Sequence, residues 1–359
     1  MREFEKNIRK VEPYVPGEQP QGKVIKLNTN ENPYPPAPGV KKILDGIDAD
    51  RFRMYPDPTC SVLVNALADY YHVDKNQVFT GVGSDDVLSM CFLTFFNSKK
   101  PILFPDLTYA FSKVWAELYQ IPYECQKLDE NFRIKKEDYY KENGGIIFPN
   151  PNAPTGVYED LEFIEDILEH NKDVVVIIDE AYIDFADGSA LSLIDRYENL
   201  LIVQTFSKSR SMAGMRIGYA IGNPLLIKYL NDAKYSFNSY TMNQTALLCG
   251  AEAVKDKEYF EENLKKIIDT REWAKEQFQK LGFTFLDSKA NFIFVTHEKF
   301  DAKELYKALK NEKIYVRFWG SARIEQYLRV TVGTKEEMEK MFSFLETYIN
   351  AHNEGEQND

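Results

Sequence analysis

Five β-branched residues in a row, Val174, Val175, Val176, Ile177 and Ile178, constrain the fold of this chain more than any other stretch. A strand of that composition has no polar side to offer water, so it must be covered on both faces, as strands of parallel sheets are. Shorter apolar runs at residues 78–80, 102–104, 146–148, 200–203 and 217–221 repeat the theme. Helical patterns such as Phe163, Ile164, Ile167 and Leu168 fall between some of them. This alternation predicts an α/β fold, a mainly parallel sheet flanked by helices. Ligands bind such sheets at the carboxyl ends of the strands. Two candidates stand there: Asp179, which closes the β-branched run, and Lys208, just past the run that begins at Leu200.

With 359 residues the chain is too long for one small core, and its texture changes along its length. Residues 1–44 carry Pro13, Pro16, Pro20, Pro33, Pro35, Pro36 and Pro38 and read as an arm that packs with the later part. Residues 45–245 hold the strand–helix alternation and form a large domain. Residues 246–351 form a smaller α+β domain, opened by a long helix over 256–281, with Asp301…Glu304 and Thr334…Glu337 as capping boxes further on. The polar tail, 352–359, is expected to be disordered. A net charge of −12 without any Lys/Arg block argues against nucleic acid. No apolar signal core follows Met1, and no apolar run approaches the roughly 18 residues of a membrane span. Cys60, Cys91, Cys125 and Cys249 are scattered, and the four histidines are isolated. That pattern predicts reduced thiols in the cytoplasm, with no metal site and no His-dependent triad.

The chemistry gathers around Thr205-Phe206-Ser207-Lys208-Ser209-Arg210, with Arg216 eight positions past the lysine. A lysine at a strand end under apolar cover can lose its proton and attack an aldehyde, and the flanking hydroxyls and Arg216 suit a phosphate. Pyridoxal phosphate is an aldehyde that carries its own phosphate, and its ring nitrogen needs an acidic partner. Asp179 suits that part, because a carboxylate at the lip of a core is stable only when paired. Tyr182 is spaced to donate to the ring's phenolic oxygen. Gly81-Val82-Gly83-Ser84-Asp85-Asp86 is a glycine turn entering a helix, with Ser84 as N-cap and free N–H groups for an anion. Asn152 lies in a rigid proline turn, Tyr109 suits stacking, and Tyr55 suits a phosphate. Arg317 and Arg329, near two late strands, suit an anionic partner. Each has a bland alternative: a solvated lysine, an N-cap aspartate, a plain turn, a core tyrosine, an ion-paired arginine.

In order, Asn-x-Pro-Thr-Gly (from Asn152), Asp-x-x-Tyr (from Asp179), Ser207-Lys208 and Arg-x-Gly (from Arg216) resemble the pyridoxal-phosphate-dependent aminotransferases of the aspartate aminotransferase fold. The likeness spans nearly the whole chain. Five further stretches are similar to the branch that exchanges an amino group between L-histidinol phosphate and 2-oxoglutarate in histidine biosynthesis. They are Pro13-Tyr14, Leu27-Asn28-Thr29-Asn30-Glu31-Asn32-Pro33, Arg53-Met54-Tyr55-Pro56, Phe206-Ser207-Lys208 and Leu328-Arg329-Val330-Thr331-Val332-Gly333.

The resemblance implies that Lys208 is the Schiff-base lysine and proton shuttle, that Asp179 pairs the ring nitrogen, and that Tyr182 and Asn152 contact the ring oxygen. It implies that Tyr109 stacks on the ring, and that Ser84, Asp85, Thr205, Ser207 and Arg216 surround the phosphate. Tyr55 would arrive from a neighbouring subunit, which implies a homodimer. Tyr14, Asn32, Arg317 and Arg329 would meet the substrate's phosphate and the 2-oxoglutarate carboxylates. Two departures stand out: Ala153 occupies the usual place of the asparagine before Pro-Thr-Gly, and Asp86 stands where glutamate is common. The alternatives are an aromatic amino-acid aminotransferase, a lyase similar to threonine-phosphate decarboxylase, and a silent protein kept as an interaction platform.

Overall fold

The computed structural model describes residues 2–355. The chain enters through a short strand, β1 (Ile25–Leu27), before the strands of the main sheet. These are β2 (Val78–Gly81), β3 (Ile102–Pro105), β4 (Tyr123–Gln126), β5 (Ile146–Pro149), β6 (Val176–Asp179), β7 (Leu200–Thr205) and β8 (Gly218–Gly222), in spatial order β2-β8-β7-β6-β5-β3-β4. Only β8 runs against its neighbours; the others share one direction.

Helices cover both faces, so alternate residues of each strand enter different cores. Ile146, Ile178 and Ile202 join one core, whereas Ile147, Ile177 and Val203 join the other. The β-branched run forms β6, although the strand begins two residues later than expected. Val174 and Val175 are half-buried, and Val174 N–H closes a turn onto Asn171 O. The edge strand β4 went unanticipated because only one of its four residues, Gln126, is buried. A strand at the rim carries too few apolar residues to announce itself.

Four strands follow the long helix Lys257–Lys280: β9 (Phe283–Phe285), β10 (Phe292–His297), β11 (Ile314–Phe318) and β12 (Tyr327–Thr331). With β1 they form a second sheet of order β1-β11-β12-β10-β9. β1 pairs in parallel with β11, and Leu27 enters that sheet's core beside Val316, Val330 and Met338. The proline-rich entry is therefore stitched to the C-terminal half.

The helix at the expected division at residue 245 stays with the main sheet. The helix Gln244–Lys255 packs Ala246, Leu247, Ala253 and Val254 into the first core, where Ala37 and Val40 of the entry region also lie. Spacing shows that a helix is amphipathic but not which core receives its apolar face. Asp256 then caps the long helix by accepting from Tyr259 N–H, and Ala274 and Phe278 carry that helix into the second core. The last helix, Lys335–Gly355, opens on the expected capping pair of Thr334 and Glu337. It continues through residues 352–355, where disorder was expected; 356–359 lie outside the described residues.

Candidate active site

The carboxyl ends of β3, β5, β6 and β7, the helix after β2 and the start of β8 face one cleft of about 620 Å³. β11, β12 and the entry segment close it from the other side. Because β8 is the one reversed strand, Arg216, just before it, reaches the same end as Lys208, just after β7. Tyr14, Asp85, Tyr109, Tyr182, Lys208, Arg216, Arg317 and Arg329 all line this space.

Lys208 enters the cleft from a braced turn. Thr205 Oγ1 accepts from Ser207 N–H at 3.1 Å, and both residues are buried behind the loop. The Lys208 amine donates to the Thr29 carbonyl at 3.3 Å and lies 5.6 Å from the Tyr182 ring centre. Asn32 does not face the cleft. Its amide donates to Lys208 O and Ser209 O at 3.1 and 3.0 Å, so it clamps the lysine's backbone and has no donor left for a substrate.

Asp179, at the end of β6, is 5% exposed and accepts from the Ala181 N–H at 3.1 Å. Among the described residues it has no cation at ion-pair distance. Burial pushes its pKa up to about 7; the Ala181 N–H and, more weakly, the charge of Lys208 oppose that, and the Asp85 carboxylate adds to it. A carboxylate held in this way has an unmet demand for a positively charged hydrogen-bond donor.

The helix after β2, Ser84–Phe95, points its first turn at the cleft. Gly83, at φ +85°, is its N-cap, so Ser84 is the first helical residue and not the cap. A Cβ at Gly218 would collide with the Gly83 and Ser84 backbone, and one at Gly83 would lie 2.6 Å from Arg216 Nη2. Two glycines thus let a helix start, a strand start and a guanidinium meet. The first-turn N–H groups have no intrahelical acceptor, and with Arg216 they form an anion cradle. Asp85 holds its rim: Oδ2 accepts from Arg216 Nη2 at 3.0 Å and Oδ1 from the Tyr109 hydroxyl at 2.6 Å. Burial and this carboxylate hold the Tyr109 hydroxyl well above the ordinary tyrosine pKa.

Opposite the cradle, Arg317 and Arg329 are register partners across β11 and β12. Like charges directly opposite on a sheet repel. Among the described residues neither has a carboxylate at ion-pair distance. Arg329 Nη2 donates to Asn28 O at 3.0 Å, and its buried Nε has no partner. The Trp319 ring lies 5.2 Å from one guanidinium and 5.1 Å from the other. The ion-paired alternative thus finds no partner among the described residues, and the two forks suit an anion.

Two further predicted residues lie elsewhere. Tyr55 is 82% exposed and stacks on Tyr240, with ring centres 4.6 Å apart. Asn152 spends its NH2 on Leu107 O and Thr155 Oγ1, while Ala153 takes the place at the cleft wall. Its buried Oδ1 is unpartnered, but an acceptor does not suit a ring oxygen that also accepts. Sequence reasoning did not single out Thr29, Asn30 or Trp319. Thr29 and Asn30 sat inside a quoted motif yet read as loop, and a lone tryptophan carries no spacing signal.

These groups fit pyridoxal phosphate: a buried carboxylate lacking a cation for the ring nitrogen, a lysine for the aldehyde and a helix-start cradle for the phosphate. The fold and site define an enzyme that uses an aldehyde cofactor. The chain belongs to the aminotransferase class I and II family, whose model matches residues 22–345, and it is a pyridoxal-phosphate-dependent aminotransferase. It is 50% identical to a histidinol-phosphate aminotransferase of Clostridium botulinum, over 98% of this chain and 99% of that one. The histidinol-phosphate aminotransferase of Clostridium acetobutylicum superposes with a TM-score of 0.83 at 25% identity, covering 91% of this chain and 100% of that one. That of Sinorhizobium meliloti, solved in complex with pyridoxal-5'-phosphate, has a TM-score of 0.82 at 23% identity, covering 92% of each chain.

Proposed function

We propose that this enzyme moves an amino group between L-histidinol phosphate and 2-oxoglutarate in histidine biosynthesis, as a cytoplasmic homodimer. The carrying observation is the cross-strand arginine pair on the wall facing Lys208, without a carboxylate of its own. The 50% identity with the botulinum relative supports the same substrate. Both substrates are anions, one a phosphate and the other a dicarboxylate, so guanidinium forks suit each in turn.

Pyridoxal phosphate, when bound, supplies an aldehyde that takes up the amino group and a ring that accepts an electron pair. Lys208 Nζ would be the base that takes up and returns the substrate's α-proton. Asp179, buried at the end of β6, would pair with the ring nitrogen and, as a carboxylate, hold a proton on it. Arg216 and the helix start bind phosphate. Tyr14 stacks on Phe111 with ring centres 4.4 Å apart and screens the mouth from water. In the homodimer, Tyr55 leaves its own surface for the cleft of the partner subunit.

The test is to add L-histidinol phosphate to the cofactor-loaded enzyme and follow the visible absorbance. Loss of the band, restored by 2-oxoglutarate, is expected. A response to phenylalanine but not to histidinol phosphate would move the assignment to aromatic amino acids. Carbon dioxide released from threonine phosphate would make the enzyme a lyase.

A further inference from the structure

Tyr182 accepts a hydrogen bond before it can give one. Its hydroxyl oxygen, in a residue 8% exposed, takes a hydrogen from Asn30 Nδ2 at 2.9 Å. Asparagine can present either a donor or an acceptor here, and what decides is Thr331 on β12. The Thr331 hydroxyl oxygen accepts from the Asn30 backbone N–H at 3.0 Å. Its single hydrogen is therefore free for Asn30 Oδ1, also at 3.0 Å. With Oδ1 used as acceptor, the amide nitrogen must face Tyr182. Asn291, wholly buried, fixes the same segment by donating to Asn30 O at 3.0 Å. Asn30 itself is 1% exposed and sits at φ +57°, in the left-handed region that asparagine tolerates better than most residues.

The chain of bonds has one polarity throughout: Asn30 N–H to Thr331, Thr331 O–H to Asn30, Asn30 N–H to Tyr182. Its last member, the Tyr182 hydrogen, has no acceptor among the described residues. Lys208 and Arg329, two charged groups near this tyrosine, are donors only. The hydrogen is left to the cleft, which Tyr182 lines.

We infer that Asn30 and Thr331 are positioning residues that set the direction of the Tyr182 hydroxyl, so that it presents a donor to the oxygen of the bound cofactor ring. This rests on reading the cleft as a pyridoxal-phosphate site. It also ties Tyr182 to the arginine pair, because Thr331 lies two residues from Arg329 on the same strand.

The experiment is a pH titration of the visible band of the cofactor-loaded enzyme. A donor to the ring oxygen favours its anionic form, so losing that donor raises the midpoint. Tyr182→Phe sets the reference shift. Asn30→Asp keeps the shape but offers Tyr182 an acceptor, and Thr331→Val removes the hydroxyl that orients the amide. Each is expected to raise the midpoint by about one pH unit, the scale of one hydrogen bond to a charged group. Thr331→Ser is expected to keep the wild-type midpoint, and Asn30→Asp to add nothing in the Tyr182→Phe background. Thermal melting identifies any variant that fails to fold; the Val/Ser pair at 331 then carries the test alone.

Equal midpoints for Thr331→Val and Thr331→Ser, or a full Asn30→Asp shift persisting without the tyrosine hydroxyl, would overturn the inference. An unshifted Tyr182→Phe would overturn it by removing the role of the hydroxyl itself. A wild type that forms no visible band would overturn the cofactor reading first, so the two failures are distinguishable.

Discussion

Lys208, Asp179 and Arg329 each imply a measurable consequence at the residue scale. Borohydride reduction of the loaded wild type is expected to add the cofactor's mass to the chain, and Lys208→Ala to abolish that addition in an intact mass spectrum. Arg329→Ala removes a fork with an unpartnered nitrogen. It is expected to raise KM for 2-oxoglutarate roughly 10- to 100-fold, the scale of a charged hydrogen bond. Arg329→Lys, which keeps the charge but not the planar fork, should recover only part of that loss in steady-state assays.

Asp179 makes the cofactor-free protein sensitive to pH. Its pKa is raised by folding to about 7, so the stability it contributes is complete below its unfolded value near 4 and is lost as pH rises through 7. Melting of the cofactor-free protein should fall between about pH 4 and 7. Asp179→Asn should flatten part of that fall, by up to roughly 4 kcal/mol. Glu180, buried with a pKa also pushed up to about 7, slopes the same way. A melting temperature that climbs over this range would contradict the assignment.

At the scale of elements, the anion cradle depends on how closely β8 approaches the helix Ser84–Phe95. Gly218→Ala inserts a methyl group into the Gly83 and Ser84 backbone, so strand and helix must separate. It is expected to weaken pyridoxal phosphate binding by at least tenfold in equilibrium titrations and to lower the melting temperature. Gly214, which has open space around it, is the control: Gly214→Ala should change neither. The segment from Asn28 to Asn32 is the other decisive element. Its backbone and amides meet Arg329, Lys208, Tyr182 and the Ser209 carbonyl in turn, so a stretch that reads as polar loop holds the two walls of the cleft in register.

For the whole molecule, the cleft lies between two sheets, and the chain visits the second of them twice: β1 serves it, the helix Pro38–Asp45 passes to a core of the main sheet, and β9 to β12 come back. The surface outside the cleft carries Phe52, Met54 and Tyr55, all more than half exposed, with Tyr55 stacked on Tyr240 and Phe237 71% exposed nearby in sequence. The proposed homodimer would cover such exposed apolar side chains. Phe237→Asp is expected to shift sedimentation from dimer to monomer and to weaken cofactor binding, because Tyr55 would no longer reach the partner's cleft.

The sequence by itself determined the parallel sheet, since an unbroken β-branched run admits no solvent face. It also placed Asp179 at the end of that run and Lys208 just past the run that begins at Leu200. Only the tertiary structure decided what faces the cleft. Strand register put Arg317 opposite Arg329, and hydrogen bonds between residues some 150 to 300 positions apart spent the amide of Asn32 on backbone and directed that of Asn30 to Tyr182. Register and amide orientation arise from partners distant in sequence, and local residue patterns carry no record of them.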